Sequence, residues 1–99
     1  MSGGAVDTLE RARTAFAQAE WRTACDLLAL LDGERELAPD DLERLAEAAW
    51  FLMDSETCVR ARERAYRAYV GKGDLRGAGR VALALAEDHF HGLARAVGQ

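Results

Sequence analysis

Proline occurs once in this chain of 99 residues, and isoleucine does not occur at all. Valine and threonine together number nine, too few for a sheet protein, because strands favour β-branched side chains. Lysine stands once against twelve arginines, which reflects coding composition more than function. No apolar run approaches the ~20 residues that span a bilayer. The opening MSGGAVDTLER lacks the basic start and apolar stretch of an export signal. A cytoplasmic protein without membrane contact is expected. The two cysteines, Cys25 and Cys58, fall within apolar stripes, where buried small thiols are expected rather than a disulfide.

What the chain has is alanine and leucine, 20 and 13 residues, both strong helix formers. The fold class is therefore all-α. The length suits one domain, residues 1–99, near the lower end of what buries a core alone.

Asp41 to Tyr69 shows the plan most clearly. Leu42, Leu45, Ala46, Ala49 and Leu52 or Met53 recur at helical spacing, and Cys58, Ala61, Ala65, Ala68 and Tyr69 do so after a polar turn at Asp54 and Ser55. Two arms joined so briefly bury their stripes against each other and against a neighbour. An upstream copy lies 34 residues earlier, with Ala12, Ala15, Phe16, Ala24, Leu28 and Leu31 before Ala46, Ala49, Trp50, Cys58, Arg62 and Ala65. About five helices are expected. The first starts with Asp7 or Thr8 as cap, after a small-residue lead over Met1 to Ala5. The second covers Trp21 to about Leu31, with Gly33 at its C-terminus. Pro39 opens the third, and Gly71 to Asp74 breaks the chain after the fourth. The fifth runs from about Leu75 to His91 with Val81, Ala82, Leu85, Ala86 and His89 or Phe90 inward, weakened by Gly77 and Gly79. Gly92 to Gln99 reads as a turn and the start of another helix.

A period of 34 with small residues at these places resembles the tetratricopeptide (TPR) repeat. Ala12 and Ala46 match its small position in the first helix, Ala24 and Cys58 that of the second, and Trp21 its aromatic. Thr8, Arg11 and Arg62 depart from the pattern, and the closing proline is absent. The resemblance implies antiparallel helix hairpins stacked as a short α-solenoid. Repeat one covers about 6–32, repeat two about 40–70, and a partial repeat three about 74–99, with Ala86 at its small position. The phrases LERARTAF, DLERLAEAAWFL and RARERAYRAY are similar to helical repeats of actinobacterial LuxR-type transcriptional regulators. No helix-turn-helix is present, so no direct nucleic-acid contact carries over.

Chemistry has little to work with. Glu87 and His91 share a helix face, but His89 points elsewhere and no further ligands stand at zinc spacing. No phosphate loop, Ser-His-Asp set or Cys-x-x-Cys pair is present in the sequence. Neither enzyme activity nor a cofactor nor a metal is expected.

Charge is uneven. Residues 1–56 hold 13 acidic and 5 basic side chains, and residues 57–99 hold 4 and 8. Arg60, Arg64 and Arg67 share a face of the fourth helix, which is read as a solvated surface. The TPR resemblance assigns partner binding to a concave groove lined by the first helices of successive hairpins. Its positions fall on Leu9, Arg13 and Phe16, on Glu43, Glu47 and Trp50, and on Leu83, Glu87 and Phe90. Aromatic anchors ringed by glutamate suit a basic or amphipathic peptide. The expected function is a non-catalytic protein-interaction module. The alternative is an oligomerisation or sensory-relay segment of a transcription regulator, associating through an open C-terminal end.

Overall fold

Two turns, 34 residues apart, are built alike. Ala19 and Met53 both hold left-handed backbone, φ 60° and 63°. In each, an amide reaches back over the helix end: Glu20 N–H donates to the Ala15 carbonyl and Asp54 N–H to that of Ala49, both at 2.9 Å. These are the capping bonds of a Schellman turn, made here without glycine. Glu20 and Asp54 then begin the next helices with matching backbone, φ −86° and ψ 75° against φ −92° and ψ 79°. The sequence period is thus a period of backbone geometry.

The computed structural model describes residues 3–97, with side chains over 6–91. Five helices follow in order: α1 Gly3–Ala17, α2 Trp21–Glu34, α3 Pro39–Phe51, α4 Ser55–Lys72 and α5 Leu75–Val97. No strand occurs among the described residues. Each helix packs on the next, and α1 also touches α3. The result is an all-α stack of antiparallel hairpins measuring 51 × 31 × 21 Å. Its radius of gyration of 14.1 Å exceeds the ~13 Å of a compact domain of this length, as stacking along one axis requires.

The core is alanine-rich because paired helices approach closely. Ala12, Ala24, Ala46, Ala48, Ala49 and Ala65 are all fully buried, and Leu28, Leu31, Leu42 and Leu45 fill the space between. Small side chains lose little entropy on burial, so close backbone approach comes cheaply at these positions. Both cysteines are free and buried, as their stripes predicted. Burial raises both thiol pKa values, that of Cys58 to about 11.

Several boundaries differ from expectation. Asp7 and Thr8 lie inside α1, which begins at Gly3, so neither caps it; Met1 and Ser2 are outside the described residues. Gly33 lies within α2, whose end is marked by extended Arg35 donating to the Leu31 carbonyl. The turn expected at Gly92 is helix, because α5 runs unbroken to Val97; Gly98 and Gln99 are outside the described residues. The buried face of α5 is Ala78, Val81 and half-buried Leu85, whereas Ala82, Ala86, His89 and Phe90 are exposed. The small residues at the close approach of α5 to α4 are therefore Gly77 and Ala78, not Ala86. Gly77 rests on the ring of Tyr69, and the chain reaches that contact through left-handed Gly73 (φ 74°) and an Asp74 cap accepting from the Gly77 amide at 2.9 Å.

Candidate functional site

Two ion-pair systems tie α1, α3 and α5 into one side of the stack. Arg13 on α1 donates twice to Asp41 in the first turn of α3, Nε to Oδ1 at 3.0 Å and a guanidinium NH2 to Oδ2 at 2.8 Å. Asp41 is 1% exposed and takes a further bond from Arg44 at 2.8 Å. A buried carboxylate needs such company, because desolvation otherwise costs several kcal/mol. The acidic first turn of α3 also meets the positive end of its helix dipole.

The second system centres on Glu43. Arg80 on α5 donates to both its oxygens, at 2.8 and 2.9 Å, and the Tyr69 hydroxyl donates to Oε2. Arg80 also lies 5.5 Å from the Tyr69 ring centroid. Burial pushes the Glu43 pKa up, but the bonds from Arg80 and Tyr69 outweigh it and hold the carboxyl below its usual value. Burial and then the bond to Glu43 push the Tyr69 hydroxyl up to about 12. Arg64 of α4 grips Asp32 of α2 with bonds of 2.6 and 2.7 Å.

Between α3 and α5 this leaves a recess of about 220 Å3, lined by Glu43, Glu47, Arg62, Arg80, Val81 and Ala84. Arg80 is neutralised by Glu43, and Arg62 pairs with Asp88 at 3.4 Å, both side chains being largely buried. That pair explains how a charged residue can stand largely buried at position 62. Glu47 is the lining charge without an ion-pair partner among the described residues. One helical turn further along α3 stands Trp50, 45% exposed.

The aromatic residues form a run rather than a row. Phe16 meets Trp21 edge-on at 5.3 Å, Trp21 stacks on Phe51 at 4.3 Å and 5°, and Phe51 meets Trp50 edge-on at 5.0 Å. Trp21 begins α2 and Phe51 ends α3, so the stack clamps the two hairpins at the turn side. Sequence reasoning missed Phe51, although its place beside Trp50 and just before the Met53 turn was a usable signal. Phe16 is half-buried within this run, while Trp50 and Phe51 are exposed at its end. Phe90 lies apart, 68% exposed, with its ring near that of His91.

The groove residues therefore divide. Arg13 and Glu43 are engaged in ion pairs, Phe16 packs inward, and Glu47 and Trp50 face the recess side with free surface. Glu87 is exposed and has no ion-pair partner among the described residues, and Leu83 (65% exposed) and Phe90 lie roughly opposite buried Val81 on α5.

A larger cavity, about 810 Å3, lies where the α2–α3 connection crosses the end of α4. Arg35, Arg67 and Lys72 line it without ion-pair partners among the described residues, beside the paired Arg13 and Arg64. Of the basic face read on α4, Arg60 pairs with Glu56 and Arg64 with Asp32, leaving Arg67 to this cavity. Among the described residues no group of three or more His, Cys, Asp or Glu is placed to hold a metal ion. No helix among them is long and apolar enough to cross a membrane. Comparison of the chain with protein-family models, with curated proteins and with solved structures gives no match.

Proposed function

We propose that this chain is a protein-interaction module of the TPR kind, which binds a peptide or protein segment along the α1–α3–α5 side and does no chemistry. One observation carries the reading: among the described residues, the recess between α3 and α5 contains a single unanswered charge, Glu47, one turn from exposed Trp50. An amphipathic segment with a basic residue fits such a place. Its cation meets Glu47, and its apolar side lies on the Trp50–Phe51 pair. Ring faces also attract a neighbouring cation. The clamps at Trp21–Phe51, Arg13–Asp41 and Glu43–Arg80 hold this surface in advance, which lowers the ordering cost of binding.

The periodic Schellman turns at Ala19 and Met53 support the TPR assignment. The likeness to repeats of transcription regulators extends the proposal to a cytoplasmic relay that acts through protein contacts and leaves DNA to another domain.

The test is selection from a displayed library of random peptides, followed by affinity measurement. Trp50→Ala is expected to weaken selected peptides by about 2 kcal/mol or more, the range of a binding hot spot. Glu47→Gln should weaken those carrying a basic residue, with helix content unchanged in both variants. Peptides that bind Trp50→Ala and Glu47→Gln as well as the native chain would overturn the assignment.

A further inference from the structure

The fifth helix is apolar on two sides, and one of them has no covering element. Ala78, Val81 and Leu85 face α4. About half a turn around lie Leu75, Gly79, Ala82, Leu83, Ala86 and Phe90, spaced by threes and fours. Leu75, Leu83 and Phe90 are 78%, 65% and 68% exposed, and a Cβ at Gly79 would meet nothing within 4 Å. No charged residue falls on this face. In contrast to the scattered single apolar residues of ordinary surfaces, this is a continuous stripe.

Charge beside the stripe selects its occupant. Arg76, Arg80 and Glu87 all lie along one flank, two cations toward the start of the helix and the anion toward its end. Arg76 and Glu87 have no ion-pair partner among the described residues, and Arg80 keeps N–H donors beyond those given to Glu43. When two antiparallel copies of one helix meet, each flank faces the same flank of the other, run backwards. Glu87 of each copy then meets Arg76 and Arg80 of its mate. A parallel pair would set this flank against the opposite one, beside Ala82 and His89, where no charged residue stands to answer it. The same antiparallel register sets Gly79 opposite Ala86, allowing close approach, and Leu75 opposite Phe90.

We infer that the chain forms a twofold dimer through this face of α5, the second copy lying antiparallel. The interface is isologous and closes on itself, so association stops at two. One helix face falls at the small end of stable interfaces, so dissociation is expected in the range of roughly 1–100 μM.

Sedimentation velocity of the full chain, from about 1 to 500 μM, tests this against the expected range. The native chain should pass from monomer to dimer, and Leu83→Glu should stay monomeric with unchanged helix content. Arg76→Glu should weaken the dimer about three- to tenfold, since it breaks two symmetric rim pairs, and Glu87→Arg should weaken it further, since it breaks those and the two to Arg80. Their combination should pair more tightly than Glu87→Arg alone, because positions 76 and 87 attract again with their signs exchanged. A native chain that stays monomeric at every concentration overturns the inference. So does association beyond the dimer, a Leu83→Glu variant that still pairs, or a double exchange that pairs no more tightly than Glu87→Arg alone.

Discussion

Gly77 lies flat against the ring of Tyr69: a Cβ at position 77 would stand 2.4 Å from Cδ1 and 2.7 Å from Cγ. Two residues on, Gly79 faces open space. Gly77→Ala is therefore expected to cost about 1–3 kcal/mol through overpacking. Gly79→Ala should stabilise by about 0.5–1 kcal/mol, because nothing offsets the helix preference of alanine there. Urea unfolding of the two variants should give opposite signs.

Relief of strain at the paired turns makes a second prediction. Ala19 and Met53 hold a left-handed conformation that costs an L-residue about 1–2 kcal/mol. Ala19→Gly and Met53→Gly should each raise stability, by up to about 1 kcal/mol after the added entropy of the unfolded glycine. Because Trp21 stacks on Phe51 beside both turns, the double variant measures how far the two are coupled.

Asp41 answers to residues at two distances, Arg44 three positions away and Arg13 twenty-eight positions away. Asp41→Ala should destabilise by about 2–3 kcal/mol, at the lower edge of broken buried pairs. The stranded Arg13 and Arg44 side chains are 43% and 32% exposed, so water compensates them in part. Chemical denaturation of Asp41→Ala and of Arg13→Ala, with their double variant, measures the coupling.

Stability should fall at both ends of the pH scale. Asp40, Glu43 and Asp54 have folded pKa values below their usual ones, so they contribute stability above about pH 4 and lose it as pH drops through the folded values. In Asp40 the bonds from Arg44 override burial, and in Asp54 the Thr57 hydroxyl does most of the lowering. Cys58 and Tyr69 act at the other end. The unfolded chain releases their protons near 9 and 10, while the folded chain holds them to about 11 and 12. Stability therefore declines as pH rises through that window. Urea midpoints measured from pH 3 to 11 check both limbs, and Tyr69→Phe should flatten the decline above pH 10.

How far the sequence revealed this depends on distance along the chain. Leu28, Leu31, Leu42, Leu45 and the alanines at 12, 15, 24, 46 and 49 are buried as their spacing indicated, since helical periodicity is a local signal. The fifth helix carries two apolar stripes, and periodicity cannot rank them. Gly77 against Tyr69 decides which one packs on α4, and that contact depends on the turn between the helices. The burial of Asp41, the pair of Arg62 with Asp88 and the grip of Arg80 on Glu43 join residues 26 or more positions apart, so no local pattern announced them. At the candidate surface, Glu47 and Trp50 were legible as one face of α3. That Glu47 is left unanswered while Glu43 is not depended on what α5 brought beside them.

The central claim is that partners are held between α3 and α5 beside Trp50. Mapping amide chemical shifts of the folded chain during titration with a basic amphipathic peptide tests it most directly. The account predicts the largest changes at Glu47, Trp50 and Phe51, with Ala84 following across the recess. Changes centred on Arg35, Arg67 and Lys72 instead, or none at saturating peptide, would contradict it.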